Sequence, residues 1–511
     1  MREIDLAAVE KYGIPSLALM ENAGSSVAAF LLEKFPKIKN MKILIACGNG
    51  NNGGDGFVIS RILKSKGIAA KTWLFGGKEK CSKEAKAVLA LLLKNKCRLK
   101  EVSGDQGLEV FAKALKDKQL VVDALLGTGF RWNISGILGR AIELINLSPA
   151  IVVSVDIPSG LNADNGTVAG KCVKADFTVA LGLVKLGSVS YPGVNYTGKI
   201  IVKNIGLPFE AVKQKKVRLN YTTEEDVRAC FPKRPLDCNK GSVGRILVVG
   251  GSAGMTGAPC LTSLSALRTG SGLVTVACSK SLNDILEIKL TEVMTSPVQE
   301  NPDRSLSSRA ENSILKLLDR HDVLVLGPGL GKNRDTGILV RNLIRKCKKP
   351  VVLDADGLNL IASSPGILKE KKADIVITPH PGEMSRLTGL SIEEVQKTRV
   401  NTALAFAKKY GVVTLLKGAC TVTAFPDGNI YINSTGNPGM ATAGTGDVLA
   451  GIIASLLGQK IEPGMAAVSG AFLHGMAGDL AGEKKGEHGL IASDILSYIP
   501  EAVLNITKAR R

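Results

Sequence analysis

Aromatic residues make up only 4% of this chain, with two tryptophans in 511 residues. That scarcity argues against a surface of interleaved aromatic and basic side chains on which single-stranded nucleic acid could stack. The densest basic groups, KQKK at 213–216 and KCKK at 346–349, have no aromatic neighbours of that kind and read as solvated surface. None of the ten cysteines forms a C-x-x-C pair, so neither a zinc site nor a disulfide framework is indicated. Cys47, Cys172 and Cys278 fall in or beside apolar segments, where a reduced thiol behaves as a small hydrophobe. No apolar run approaches a membrane span, and Arg2, Glu3 and Asp5 stand where a signal peptide would place a basic flank and an apolar core. A reducing, cytoplasmic setting is expected, with no membrane and no nucleic-acid partner. Acidic residues are also in deficit, 46 against 66 basic ones, and the resulting net charge of +20 biases the molecule toward small anions such as nucleotides.

Gly, Ala, Val, Leu and Ile dominate instead, a composition suited to short buried strands with helices on both faces. The length exceeds a single core and implies two domains. Apolar runs at 42–47, 120–127, 151–156 and 177–182 each end in polar or turn residues, as parallel strands of an open α/β sheet do at their ligand-binding ends. The segment 3–34 predicts leading helices broken at Pro15 and Gly24. Turn chemistry, a basic run and a helix cap at Thr222 or Thr223 place the boundary near 215, giving domains 1–215 and 216–511. A second series of strands begins at RILVVGG (245–251) and continues through 273–278, 323–331, 351–359, 374–383 and 414–418.

Two constellations carry chemistry. After the first strand, GNGNNGGDGF (48–57) predicts a glycine-rich turn into a helix, able to bring N–H groups against a phosphate. It matches neither a P-loop nor a dinucleotide fingerprint, yet Asn51, Asn52 and Asp55 add oxygens that a plain turn does not need. Asp123, Asp156 and Ser159 end the following strands, and such an oxygen-only set suits a hard cation. In the second half, GTGD (444–447) precedes the apolar run Val448–Leu457. A helix there would turn its positive end toward an anion and hold Asp447 beside it as a proton acceptor. In isolation, a glycine turn capped by Asp447 would read the same way.

Together the motifs NNGGDG, VDALLGTG, VDIPSG and GLVKLG resemble the NAD(P)H-hydrate epimerase domain over essentially all of residues 1–210. The resemblance implies a Rossmann-like three-layer αβα fold. It assigns Asn51, Asn52, Gly53, Gly54, Asp55, Gly127, Thr128, Gly129, Phe130, Arg131, Trp132, Asn133 and Asp156 to substrate, and Asn52, Asp123 and Ser159 to potassium. Asp156 is the expected catalytic group and Lys185 a weaker candidate. From about Pro235 to Pro500, KGSVGRILVVGGS, MTGAP, GPGLG, DADGLN, TPHPGEM, LKG and GTGD resemble the ribokinase-like α/β NAD(P)H-hydrate dehydratase domain. That resemblance assigns Ala258, Gly329, His380 and Asp447 to the hydrated nicotinamide. The adenine nucleotide falls to Lys417, Gly418, Ala419, Cys420, Thr421 and Gly446. Asn239-Lys240-Gly241 departs from the family's usual His-Lys-Gly and removes any imidazole role there.

The implied activity repairs the hydrates of NADH and NADPH, NADHX and NADPHX. One domain interconverts the epimers and the other phosphorylates the C6 hydroxyl of the S form and eliminates phosphate. Asp447 and Asp156 are the expected catalytic residues. Magnesium is expected with the nucleotide, and a homo-oligomer is expected. The sequence does not separate ADP from ATP; the two-domain bacterial or archaeal form that the chain resembles uses ADP. Two rivals are a ribokinase-like kinase of a small alcohol or vitamin precursor, and a nucleic-acid-binding scaffold that retains these folds.

Overall fold

The computed structural model describes residues 1–129, 134–168, 170–214 and 217–508, so the expectations for Phe130, Arg131, Trp132 and Asn133 lie outside the described residues. The chain folds as two compact units, Met1–Val217 and Arg218–Arg511. Among the described residues no helix is long and apolar enough to cross a membrane.

In the N-terminal unit seven strands form a parallel sheet: β1 (Ile43–Cys47), β2 (Ala70–Phe75), β3 (Leu99–Val102), β4 (Leu120–Ala124), β5 (Ile151–Val155), β6 (Phe177–Leu181) and β7 (Lys199–Lys203). Their order is β3-β2-β1-β4-β5-β6-β7. The order reverses between β1 and β4, and ligands bind at the carboxyl ends of strands at such a switch point. Every residue of β1 and β4 is buried, as a parallel sheet covered on both faces requires. Parallel register sets Ala46 beside Asp123 and Asp123 beside Ser154, so the polar ends of β1, β4 and β5 finish side by side.

The leading segment forms helices Arg2–Glu10 and Ser16–Lys34, separated at Pro15. Gly24 does not break the second helix, contrary to the expectation. A Cβ there would lie 2.4 Å from the Val58 Cβ, so this glycine lets helix Ser16–Lys34 pack closely on helix Asn51–Ser65.

In the C-terminal unit the strands are β8 (Leu219–Tyr221), β9 (Arg245–Val249), β10 (Leu273–Ser279), β11 (Met294–Val298), β12 (Val323–Leu326), β13 (Val351–Leu353), β14 (Ile375–Ile377), β15 (Val413–Leu416), β16 (Val422–Ala424) and β17 (Ile430–Ile432). Their order is β11-β10-β9-β12-β13-β14-β15-β16-β17-β8. From β11 through β15 the pairs are parallel, whereas β15, β16 and β17 are antiparallel neighbours. Thr223 caps helix Glu224–Cys230 in a capping box with Asp226. Helix Thr445–Gly458 is buried from Val448 to Gly458. It packs closely on helix Gly257–Thr269, because a Cβ at Gly451 would meet the Thr262 carbonyl oxygen at 2.0 Å.

Candidate active sites

In the N-terminal unit the NNGGD segment is not a loop. Helix Asn51–Ser65 starts immediately after Gly50, so Asn51 to Asp55 form its opening turn, where the first N–H groups have no partner within the helix. The glycines answer mainly to packing: a Cβ at Gly53 would lie 1.8 Å from the Gly48 carbonyl oxygen, and one at Gly54 2.6 Å from the Met20 Sδ. Asn51 accepts a hydrogen bond from the Ser82 hydroxyl, which ties the helix start to its neighbour. Asn52 donates to the Leu126 carbonyl at 3.0 Å, and its Cβ and Cγ crowd the position a side chain at Gly127 would take.

Asp123 ends β4 fully buried. Its carboxylate accepts from the Ser159 hydroxyl at 2.6 Å, the Ser159 N–H at 2.9 Å, the Ser154 hydroxyl at 2.8 Å and the Leu125 N–H at 3.3 Å. Burial raises its pKa even though these bonds oppose the rise. Among the described residues no lysine or arginine forms an ion pair with it. Ser159 also accepts from the Leu126 N–H at 2.8 Å and lies 3.2 Å from the Leu126 carbonyl oxygen. Asn52, Asp123 and Ser159 thus gather around the Leu126 backbone, an all-oxygen set with one uncompensated negative charge. That donor set fits a monovalent cation.

Asp156 leaves β5 in the left-handed region, with φ +68°, which is uncommon for a residue other than glycine. Its Oδ1 accepts the Leu181 N–H at 3.0 Å and the Lys185 ammonium, and that ammonium also donates to the Leu181 carbonyl at 2.9 Å. Lys185 is only 6% exposed, so it is a buried ion-pair partner of Asp156 and not a solvated charge. Asp55 is pushed well above the usual carboxyl range by burial and then by Asp156, with Lys185 opposing. Asp5, on the first helix, is raised by burial and feels both Lys185 and Asp156. Sequence reasoning used Asp5 only against a signal peptide; nothing local marks it as a neighbour of groups 151 and 180 residues away.

In the C-terminal unit Gly444, at φ +91°, turns the chain into helix Thr445–Gly458 and leaves Asp447 in its first turn. The Asp447 carboxyl is pushed up to about 7 by burial, then by Asp354, Asp356 and Glu383, with Lys417 opposing. Lys417 follows β15. Its ammonium donates to Asp354 at 2.8 Å and lies 3.9 Å from the Glu383 carboxylate. Burial works against that charge, but Asp354 and Glu383 outweigh it and hold the Lys417 pKa above its ordinary value. A Cβ at Gly446 would come within 3.1 Å of the Lys417 Nζ, so this glycine gives the ammonium access to the helix N-terminus.

The other assigned residues fall on two further turns and a helix start. The turn Lys417–Thr421 joins β15 to β16. Buried Arg399 braces it, donating to the Leu416 carbonyl at 2.9 Å and the Lys417 carbonyl at 3.2 Å. Gly418 has φ +141°, and a Cβ there would strike the Arg399 guanidinium at 2.8 Å. Thr421 donates back to the Gly418 carbonyl at 3.0 Å, leaving Gly418 and Ala419 exposed and Cys420 partly so. Gly329, at φ +63°, lies against Ala258, because a Cβ at Gly329 would be 3.2 Å from the Ala258 Cβ.

His380 caps helix Pro381–Thr388: its Nδ1 accepts the Gly382 N–H at 3.0 Å, and its own N–H donates to Glu383 at 2.8 Å. Burial and then Lys417 and Arg386 lower its pKa. It is therefore a neutral imidazole with the proton on Nε2, 3.4 Å from the Glu383 Oε1.

Asp354 and Glu383 escaped the sequence reading although their motifs did not. DADGLN and TPHPGEM point to this region, yet of their residues the sequence assigns a role only to His380. His474, on helix Pro463–Lys485, was missed too. Its Nε2 is buried with no hydrogen-bond partner among the described residues, its ring bonds the Thr445 backbone, and burial and Lys417 push its pKa down to about 4. The same helix anchors the approach to GTGD. Its carbonyls at Ala471, Phe472 and Gly478 accept from Asn433, Thr435 and Asn437, and glycines 475, 478 and 482 let residues 435–440 lie against it.

Comparison with known proteins matches residues 16–187 to the YjeF-related protein N-terminus family and residues 246–501 to the NAD(P)H-hydrate dehydratase family. The bifunctional NAD(P)H-hydrate repair enzyme Nnr of Moorella thermoacetica is 42% identical over 99% of this chain and 96% of its own length. The enzyme of the same name from Escherichia coli is 34% identical over 98% of this chain and 92% of its own. Among solved structures, the ADP/ATP-dependent NAD(P)H-hydrate dehydratase of Bacillus subtilis, co-crystallised with ATP and Mg2+, aligns at 30% identity and TM-score 0.48, covering 56% of this chain and 98% of that one.

Proposed function

The chain belongs to the bifunctional NAD(P)H-hydrate repair enzymes, and we propose how its two sites divide the chemistry. The N-terminal domain is the epimerase and the C-terminal domain, a ribokinase-like α/β fold, is the dehydratase. The substrates are reduced NAD and NADP that have gained water across a ring double bond, leaving a hydroxyl on C6.

In the dehydratase site Asp447 removes the C6 hydroxyl proton while a phosphoryl group arrives from ADP, the donor of the two-domain form. The observation that carries the reading is the placement of Asp447 in the first turn of helix Thr445–Gly458, beside Gly446, where the Lys417 ammonium reaches the helix N-terminus; a carboxyl pushed up to about 7 is well matched to that task. The N–H groups at the start of helix Thr445–Gly458 and the Lys417 ammonium stabilise charge on the transferring group, a contribution of about 3 kcal/mol for a well-placed donor. The turn Lys417–Thr421 holds the nucleotide, and Ala258, Gly329 and His380 hold the nicotinamide. Among the described residues no group of three His, Cys, Asp or Glu side chains could cage a bare metal ion. Magnesium would enter with the nucleotide cosubstrate. The phosphate ester then leaves and the double bond returns, giving NAD(P)H, AMP and phosphate.

In the epimerase site Asp156, held by Lys185, assists reversible loss and return of water at C6, and Asp55 offers a carboxyl that resists ionisation. Asn51 to Asp55 and Gly127 to Asn133 bind substrate. Potassium would sit among Asn52, Asp123 and Ser159, supplying the positive charge that Asp123 is without. A reducing cytoplasm suits the ten free cysteines.

The test is recovery of reduced-nicotinamide absorbance from a mixture of both hydrate epimers with magnesium and potassium, comparing ADP, ATP and no nucleotide. Conversion of both epimers with ADP supports the reading, and conversion with ATP alone changes the donor. No conversion in any condition rejects it in favour of a kinase screened on small alcohols.

A further inference from the structure

Dehydration removes two protons from the substrate, one from the C6 hydroxyl and one from C5, and a single carboxylate accounts only for the first. Once the hydroxyl is phosphorylated, the N1 lone pair forms N1=C6 and the C6–O bond breaks, expelling phosphate. A base then takes a proton from C5. The electrons of that C–H bond become C5=C6, and the N1=C6 π pair returns to nitrogen. After the first step Asp447 already carries a proton, so the C5 proton goes either to the departing phosphate or to a second side chain close to the nicotinamide.

We propose that Glu383 is this second base, accepting the C5 proton during elimination. The inference rests on the dehydratase reading of the site. Two contacts place the residue. Its Oε1 is 3.4 Å from the Nε2 of His380, one of the groups assigned to the nicotinamide. Its Oε2 is 3.9 Å from the Lys417 ammonium, which itself borders Gly446 at the start of the Asp447 helix. Lys417 also binds Asp354 at 2.8 Å, so one ammonium joins the two ends of the reacting centre.

The neighbouring groups do not fit the task. His380 presents a protonated Nε2, because its Nδ1 accepts the Gly382 N–H. Asp354 is only 1% exposed and holds the Lys417 ammonium at hydrogen-bond distance. Glu383 is 5% exposed, and burial, with Asp354 adding to it and Lys417 opposing, pushes its carboxyl up to about 7. A carboxyl of that strength is a better base than an ordinary glutamate at neutral pH.

Glu383 also accepts the His380 N–H as the third residue of a capping box, which a purely structural role would explain. Glu383→Gln keeps an oxygen acceptor for that bond and replaces the other, basic oxygen, which faces the His380 Nε2, by an uncharged amide NH2. The experiment follows AMP release and NADH recovery separately in single turnovers of the full-length enzyme with the S hydrate, ADP and magnesium. Wild type is expected to produce both together. In Glu383→Gln, AMP release is expected to stay within about threefold of wild type while NADH recovery slows by about 100-fold or more. The phosphorylated hydrate accumulates, and a substrate deuterated at C5 shows a primary isotope effect. Equal loss of both products, or unchanged recovery of NADH, overturns the proposal; the latter would leave the departing phosphate as the base. Thermal melting of the variant separates misfolding from a catalytic defect, and Glu383→Asp, which restores a carboxylate, is expected to regain part of the elimination rate. If wild type releases no AMP and recovers no NADH with either nucleotide, the dehydratase reading itself fails, a result distinct from both.

Discussion

Replacing Asp447 by asparagine should abolish ADP-dependent repair and, at the same time, make the C-terminal domain more stable in a pH-dependent way. The carboxyl is pushed from its ordinary 3.8 up to about 7 in the folded chain. Below pH 3.8 both the folded and unfolded states hold the proton, so the group has no effect. Between pH 3.8 and 7 the unfolded chain releases it and the folded chain does not, so stability falls steadily as pH rises. Above 7 both states are ionised and the loss levels off. About three pH units at about 1.4 kcal/mol each give a cost of about 4 kcal/mol at pH 8 and about 2 kcal/mol at pH 5.5.

Asparagine has no such cost. Lys417 loses an anionic neighbour in the variant, whereas Asp354, Asp356 and Glu383 lose a repulsive one, so the expected net gain at pH 8 is about 2–4 kcal/mol. For a domain of this size that corresponds to a rise in melting temperature of roughly 2–4 °C per kcal/mol. Urea or thermal unfolding of the ligand-free protein at pH 5.5 and pH 8 reads it directly. A variant less stable than wild type at pH 8, or a gain equal at the two pH values, would refute the account of Asp447 as a carboxylate ionised at a cost. The same variant should release AMP at least about 100-fold more slowly.

Two further outcomes concern the N-terminal domain. Lys185→Met leaves the Asp156 carboxylate, 14% exposed, without its ammonium; the domain should lose about 1–3 kcal/mol of stability, and interconversion of purified hydrate epimers, followed by chromatography, should slow by about 10- to 100-fold. Unchanged interconversion would remove Lys185 from the site. Gly53→Ala puts a Cβ 1.8 Å from the Gly48 carbonyl, and overpacking of this kind should cost about 2–3 kcal/mol and abolish epimerisation, while dehydration of the pure S hydrate persists. A variant that melts like wild type would show that the backbone at Gly48 gives way.

The strand ends that build both sites were legible because fully buried parallel strands write themselves as apolar runs closed by polar residues. β13 and β14, three residues each, were legible because they run into the DADGLN and TPHPGEM motifs, whereas the equally short β8, β16 and β17 lead into no such motif and went unseen. The motifs also located the sites better than they identified the working side chains. Asp354 matters because Lys417, 63 residues later, returns to it, and Lys185 matters because the turn after β6 buries it against Asp156. Neither pairing has a local signature. The glycines of NNGGDG also make room for Gly48, Met20 and Cys47, a packing role that the motif alone does not announce. A sequence shows that a side chain is absent; only tertiary packing shows which neighbour occupies the space.

The helix Pro463–Lys485 acts on the dehydratase site from behind, through hydrogen bonds from Asn433, Thr435 and Asn437 to its carbonyls and through glycines that let residues 435–440 lie flat. The approach to the anion-binding helix is thus immobilised when the domain folds. On the function proposed above, the nucleotide would meet this segment already ordered, and little of the entropy cost of binding would fall on it.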